Sequence, residues 1–313
     1  RLMIIHTGTE KLDISNAVVT VGIFDGVHRG HRALLDYLVS YARRVNGESV
    51  VVTFDKHPRM ILSDSKSEIF YLSTLDEKKR LLADTGINHL VILEFNHSLA
   101  GMDAGSFVKR ILVGKIGIKH LIVGYDHHFG KNREGSYTLI RGYAERSGFN
   151  VEQIPGIASD HSVISSTLIR EALSNGNLRI ASDMLGYEYS LAGKVIRGKG
   201  LGRDIGFPTA NIEPDDMHKL VPGSGVYAVR VSADDRLFLG MLSIGTNPTV
   251  NKDPDIRSIE VNIFDFEGDL YSREIRVYFT ERLRDEIRFD SIGQLKEQMK
   301  SDRLHALKVF SST

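Results

Sequence analysis

The sequence predicts an α/β domain on a parallel sheet, followed by an antiparallel β-barrel closed off by a helix. Three observations carry this. In the first half, short β-branched runs alternate with longer amphipathic segments. Past Gly186, glycines cluster and strand-length runs then follow one another with no helix-length segment between them. From Asp290 to Phe310 the apolar residues return to a helical spacing.

Ala17 to Phe24, Ser49 to Phe54, His89 to Phe95 and His120 to Val123 read as strands; their apolar residues run on rather than alternate, as in strands buried on both faces. Helices are expected near His31 to Val45, Thr74 to Ala83, Asp103 to Leu112 and Ser136 to Ser147. The first sets Leu34, Leu38, Tyr41 and Val45 on one stripe able to cover a sheet. Thr74 three residues before Glu77 has the spacing of a capping box. Alternation of this kind calls for right-handed crossovers between parallel strands.

Ser165 to Asn175 and Leu178 to Leu185 form two short helices interrupted at Gly176, with a short junction near 185 to 190 that divides the chain into 1–186 and 187–313. Strands follow at Gly225 to Val231, Phe238 to Ile244, Ser258 to Phe264 and Glu274 to Phe279. The alternation of Ile259, Val261 and Ile263, and of Ile275, Val277 and Phe279, puts one face on a core. In the terminal helix Ile292, Leu295 and Met299, then Leu304, Leu307 and Phe310, make the stripe that packs on the barrel.

With 313 residues and 42% hydrophobic content the chain suffices for two domains with separate cores. Forty basic residues balance forty acidic ones, so no whole-chain field draws it to nucleic acid. The absence of cysteine excludes a disulfide framework, thiolate zinc sites and thiol nucleophiles. The start has no signal core, and no run approaches the roughly 18 apolar residues of a spanning helix. A cytoplasmic enzyme acting on small molecules is the expectation, without nucleic acid or membrane partners, as a monomer or weak transient homo-oligomer.

The strongest local signal is Gly22-Ile23-Phe24-Asp25-Gly26-Val27-His28-Arg29-Gly30-His31, which ends a strand and opens a helix. Gly26 and Gly30 permit a close turn, and Gly30 leaves room where a phosphate approaches the first helical NH groups. His28 and His31 can donate to phosphate oxygens as charge grows on them. The alternative is a glycine turn with capping histidines. His57, His127 and His128 lack the companion spacing of a metal site and read as pocket-lining or surface groups.

This segment resembles the nucleotidyltransferase superfamily. Together with Thr53-Phe54-Asp55-Lys56-His57-Pro58-Arg59, the run Val123 to Gly130 with Arg133 and Gly135, and Ile164-Ser165-Ser166-Thr167-Leu168-Ile169-Arg170, it resembles the N-terminal module of bifunctional bacterial riboflavin kinase/FAD synthetase. The resemblance implies a Rossmann-like domain that binds Mg-ATP and FMN and makes FAD and pyrophosphate. It implies that His28 and His31 hold the ATP phosphates in the strand-turn-helix of Gly22, Phe24, Asp25, Gly26 and Gly30. Ser165, Ser166, Thr167 and Arg170 then steady pyrophosphate, while Phe54, Pro58, Asp126 and Arg133 shape the flavin pocket. Asp25 serves either the adenosine side or the turn itself.

A second phosphate-capable constellation is Gly198-Lys199-Gly200-Leu201-Gly202-Arg203 with Gly206-Phe207-Pro208-Thr209-Ala210-Asn211. It lacks the spacing of a Walker loop. Its glycines admit a phosphate or simply form a barrel turn; Thr209 and Asn211 can offer oxygen to magnesium. With Pro222, Gly225-Val226-Tyr227, Ile244-Gly245, Pro248-Thr249, Glu260-Val261, Asp265-Phe266, Asp269-Leu270-Tyr271, Leu283-Arg284 and Arg288-Phe289, it resembles the riboflavin kinase module. That resemblance implies a six-stranded, Greek-key-like barrel that phosphorylates riboflavin to FMN. Glu260 becomes the general base, Thr209 and Asn211 the magnesium ligands, and Gly202 and Arg203 part of the phosphate flap. Arg284 and Phe289 enclose riboflavin or anchor the terminal helix.

The chain departs from the family pattern at three positions. Ile23 stands where asparagine is usual, His127 where phenylalanine is usual, and Asn262 where histidine is frequent. The alternatives are a chain with only one of the two activities, a flavin-binding regulatory or RNA-interaction protein on the same scaffold, and an adenylyltransferase for another phosphorylated metabolite.

Overall fold

The structure is a computed structural model that describes residues 2–8, 10–62, 70–124, 137–155, 158–159, 162–198, 202, 206–246 and 257–312. Contacts divide the chain into two compact units, Arg1–Ser166 and Thr167–Thr313.

The first unit is built on β1 (Ile4–Thr7), β2 (Val18–Val21), β3 (Ser49–Phe54), β4 (His89–Leu93), β5 (His120–Gly124) and β6 (Asn150–Ile154). They form one sheet in the order β1-β4-β3-β2-β5-β6, with every pairing parallel. Helices α1 (Arg29–Arg44), α2 (Arg59–Leu62), α3 (Leu75–Ala83), α4 (His97–Ala100), α5 (Ala104–Phe107) and α6 (Tyr137–Ser147) lie between the strands. One apolar cluster sets Leu35, Leu38, Val39 and Ala42 of α1 against Val18, Val51 and Leu90; the other sets Phe107, Leu112 and Ile140 against Val19, Val50 and Val91. The two neighbours of the sheet thus bury both of its faces, which explains the unbroken apolar runs. On α1 the buried residues are Leu35, Leu38, Val39 and Ala42, while Leu34, Tyr41 and Val45 are half-buried beside them.

The capping box of α3 forms, with Thr74 Oγ1 accepting from Glu77 N and Glu77 Oε2 accepting from Thr74 N. The helix expected from Asp103 to Leu112 begins on its Asp103 cap but continues from α5 into π-helical turns over Val108–Ile116, ending at Gly117 with φ 72°. Two strands of this sheet go unread in the sequence. β1 is an edge strand with Ile4 and Ile5 exposed, and β6 carries only Val151 and Ile154 as apolar residues, so neither has a buried-strand pattern.

A short hairpin of β7 (Ala158–Ser159) and β8 (Ser162–Val163) precedes α7 (Ser166–Ser174) and α8 (Leu178–Leu185), separated by Gly176 at φ 73°. β9 (Ser190–Ile196), β10 (Ala210–Pro214), β11 (Gly225–Ala233), β12 (Arg236–Thr246), β13 (Arg257–Ile263) and β14 (Glu274–Arg284) close into an antiparallel barrel in the order β10-β13-β12-β11-β14-β9. Tyr227, Val229, Leu242, Val261, Val277 and Phe279 fill one face of its wall and are fully buried. β9 and β10 escape the sequence reading because Gly193 breaks the pattern of β9 and β10 buries only Ile212. A Cβ at Gly193 would lie 2.4 Å from Glu213 O, so the close crossing of β9 and β10 requires the very residue that masks the strand.

Compactness assigns α7 and α8 to the barrel unit. Leu173 O accepts from Gly223 N at 3.0 Å, and Gly176 packs on the Arg282 side chain. The compact units divide at the start of these two helices, and the composition of the sequence changes after them, at Gly186. α9 (Ile292–Ser311) lays Leu295, Met299, Ala306, Leu307 and Phe310 on the barrel cluster of Phe207, Met241 and Phe264. Ile292 and Leu304, expected in that stripe, are 70% and 62% exposed.

Candidate active sites

In a parallel sheet, ligands bind beyond the carboxyl ends of the strands where the strand order changes direction. From β2 the chain adds β3 and β4 on one side and then β5 on the other, so the crevice lies at the end of β2. There the backbone turns through Phe24 at φ 51°, Gly26 at φ 75° and Val27 at φ 36°. A β-branched residue at positive φ is strained, and such strain persists only where the surroundings hold it. They do: the buried Asp25 carboxylate accepts from Leu72 N at 2.9 Å and Ser73 N at 3.1 Å, Gly26 N donates to Ser73 Oγ at 2.9 Å, and Ser166 Oγ donates to Asp25 O at 3.1 Å. Asp25 therefore organises the turn.

The turn delivers His28 to the N-cap of α1, where Nδ1 accepts from His31 N at 3.3 Å. A neutral His28 then carries its proton on Nε2. The two imidazoles stack with centroids 3.6 Å apart, and Phe24 meets His31 edge-on. Gly30 clears the space, since a Cβ there would lie 3.3 Å from the His28 ring. His31 Nδ1 is buried without a partner among the described residues. Burial pushes the His31 pKa well below 6.5, helped by the charges of His28 and Lys78.

Lys78 is a residue the sequence reading missed. It is buried, donates to Phe54 O at 3.3 Å, and has its pKa lowered by burial against the opposing pull of Asp25 and Asp55. Its only sequence cue was its place directly behind the capping box. Gly22 packs on the Phe24 ring, where a Cβ would lie 2.9 Å away. Phe54 ends β3, edge-on to Phe95, and Pro58 is half-buried just before α2. Ser165 precedes α7, Thr167 is exposed in its first turn and Arg170 is half-buried one turn on. Asp126, His127, His128 and Arg133 lie outside the described residues.

In the barrel, strand register assembles the site. Asn211 of β10 stands directly opposite Glu260 of β13, whose other neighbour is Ser243 of β12. Burial raises the Glu260 pKa above 4.5, while a hydrogen bond from the Thr209 hydroxyl pulls it back. Gly198 and Gly202 serve close approach: a Cβ at the first would lie 1.9 Å from Asn211 Nδ2, and at the second 2.2 Å from Phe207 O. Beside them opens a cavity of about 470 Å³ whose lining includes Val195, Arg197, Thr209, Val261, Leu270 and Tyr271. Arg197 stacks over the Tyr271 ring at 4.8 Å. Thr209 is thus common to the cavity and to Glu260.

The first unit matches the family model for FAD synthetase over residues 10–168, and the second matches riboflavin kinase over 185–310. The bifunctional riboflavin kinase/FMN adenylyltransferase of Escherichia coli K12 is 38% identical over 298 residues, covering 95% of this chain and 93% of that one. The chain belongs to the bifunctional riboflavin kinase/FMN adenylyltransferase family. Its relative in Listeria monocytogenes is 36% identical, covering 97% of this chain and 96% of its own. A crystal structure described as a macrolide-efflux protein from Streptococcus pneumoniae superposes with a TM-score of 0.87 at 32% identity, covering 96% of this chain and 98% of that one.

Within the riboflavin kinase domain the structure separates two groups of expected residues. Thr209, Asn211 and Glu260 come together. Arg284 instead binds Asp302 of α9, with Nε at 2.9 Å and Nη2 at 2.7 Å, and its guanidinium lies 5.9 Å from the Phe289 ring. Asp302 is buried and also accepts from Gln298, so this ion pair fastens α9 to the barrel. Arg203, Lys199 and Pro248-Thr249 lie outside the described residues. Of this cavity wall, Leu270 and Tyr271 stood among the residues that carry the resemblance, whereas Arg197, directly after β9, was not singled out in sequence.

Proposed function

We propose that the barrel transfers the γ-phosphate of ATP to the ribityl 5′-hydroxyl of riboflavin, and that the α/β domain joins the resulting FMN to the adenylyl group of a second ATP. The observation that carries the kinase assignment is the register placing Asn211 opposite Glu260, with Thr209 linking Glu260 to a cavity of nucleotide size.

A neutral alcohol gains from proton removal, and Glu260 is the base. Its burial strengthens it as a base, and the Thr209 hydroxyl holds it toward the charged form. Oxygen donors from Thr209 and Asn211 with one carboxylate nearby suit magnesium, which keeps most of its shell for water and phosphate. Thr209 and Asn211 would hold the ion, which supplies neutralisation of phosphate charge. The cavity takes ATP, with Arg197 and Tyr271 at its wall and Gly198 and Gly202 admitting the phosphates.

In the α/β domain an FMN phosphate oxygen attacks the α-phosphorus of ATP and pyrophosphate leaves. An anionic nucleophile needs no base, so the histidines bind and stabilise charge. His28 offers Nε2–H at the N-terminus of α1, and His31, kept neutral at physiological pH, offers a hydrogen bond rather than a charge. Ser165, Ser166, Thr167 and Arg170 steady pyrophosphate; Phe54, Pro58, Asp126 and Arg133 receive the flavin. Riboflavin, FMN and ATP are intracellular metabolites, which places the enzyme in the cytoplasm, as a monomer or weak transient homo-oligomer. No helix among the described residues is long and apolar enough to cross a membrane.

The test is product-resolved chromatography with MgATP and either riboflavin or FMN. FMN followed by FAD from riboflavin, and FAD from supplied FMN, is the expected result. FMN alone would remove the adenylyltransferase assignment, and neither product would remove both.

A further inference from the structure

The face of β13 that carries Glu260 holds two further polar side chains, Ser258 on one side and, two residues on, Asn262. The deeper of the two is Asn262. It is 4% exposed, stands opposite Met241, and is followed on its face by Phe264, both members of the apolar cluster under α9. Its Nδ2 donates to Pro208 O at 2.7 Å. Its Oδ1 is buried and has no partner among the described residues. A buried amide with one end unmet wants a reason, because an apolar side chain of similar volume would fill the same space without leaving a polar atom unpaired. The end that is met supplies it: the bond ties β13 to the carbonyl immediately before Thr209, whose hydroxyl reaches Glu260 and lines the cavity.

We propose that Asn262 is a positioning residue for phosphate transfer, acting through the Pro208-Thr209 peptide. Pro208 has no NH and precedes β10, so strand pairing does not fix this peptide from its N-terminal side. The Asn262 amide does so instead. It holds the Thr209 hydroxyl where it meets both Glu260 and the bound nucleotide, while Asn262 itself touches neither substrate. The proposal rests on the kinase reading of the barrel.

The experiment is a double-mutant cycle on FMN formation, with riboflavin and MgATP varied. Asn262→Leu alone is expected to lower kcat about tenfold, the cost of losing the one hydrogen bond that holds the Thr209 hydroxyl in place. Asn262→His, with a ring NH in place of the amide, should recover most of it. In a Thr209→Val background Asn262→Leu should cost less than twofold, since the group it positions is gone. Melting curves accompany each variant, and should Asn262→Leu not fold, Asn262→Ser, too short to reach Pro208 O, takes its place in the cycle. An equal loss in both backgrounds would show that Asn262 does not act through Thr209, and an unchanged kcat for the single variant would show that it positions nothing. Either result overturns the proposal provided the unmutated enzyme makes FMN; if it makes none, the kinase reading itself falls.

Discussion

Replacing Glu260 by glutamine separates catalysis from stability. The side chain keeps its size, and its Oε1 can still accept from the Thr209 hydroxyl, so the geometry between β10 and β13 stays. What is lost is the capacity to take the proton of the 5′-hydroxyl, and kcat for FMN formation should fall by about 10²–10⁴-fold. Stability should move the other way. Burial raises the folded pKa of Glu260 above its unfolded 4.5, so the folded state binds more protons than the unfolded one between those two values. The group's contribution to stability is therefore fully present below pH 4.5 and lost as pH rises through the folded pKa. At neutral pH the charged carboxylate is a burden that glutamine does not carry. The assay is FMN formation by chromatography at saturating substrates, beside melting temperatures of both proteins from pH 4 to pH 8 (on the order of half-unit steps suffice). The variant should be the more stable at neutral pH, with the difference narrowing in acid. A kcat loss under about tenfold would refute the base assignment. A loss that tracked a fall in melting temperature would refute the claim that the geometry survives.

Four further outcomes are expected. His31→Ala should reduce FAD formation from FMN by about 10²–10³-fold, the effect of removing one transition-state donor, with FMN formation from riboflavin within twofold of the original. Lys78→Met should let the His31 pKa, followed by NMR, climb back toward 6.5, since Lys78 helps hold it down. Stability contributed by neutral His31 is present above pH 6.5 and lost as pH falls below it, so in this variant that loss should extend over a narrower acid range. Gly198→Ala should push aside the Asn211 amide, 1.9 Å from the new Cβ, and cut kinase activity about tenfold with little change in melting temperature, because the displaced atom ends a flexible side chain. Asp302→Ala should cost about 3–5 kcal/mol by leaving the Arg284 guanidinium without its buried partner, seen as a large fall in the melting transition of the barrel unit.

Much of the fold was legible because each unit writes its own period. The buried runs at Val18–Val21, Val50–Val52 and His89–Leu93 announce a sheet covered on both faces, and the alternation from Ile259 to Ile263 announces a wall with one apolar side. The capping box at Thr74 and the glycine break at Gly176 were equally local and equally readable. What failed to show were elements whose pattern is set by a neighbour. β1 and β6 are edges with little to bury, and β9 hides behind a glycine demanded by the backbone of β10.

The same division holds for the sites. By itself the sequence determined the residue types: two histidines around a glycine at a strand-to-helix turn, a threonine and an asparagine two apart, and a carboxylate on an alternating strand. These are choices of chemistry written within a few residues of one another. Only the tertiary structure decided what those groups do to each other. Asn211 meets Glu260 because two strands nearly fifty residues apart pair in one register, and Lys78 presses on His31 because α3 packs against the turn before α1. Arg284 pairs with Asp302 for the same reason, since β14 and α9 meet only in the folded barrel. Hydrogen bonds and desolvation act over a few ångströms through space, and a chain's own order records only the distances along it.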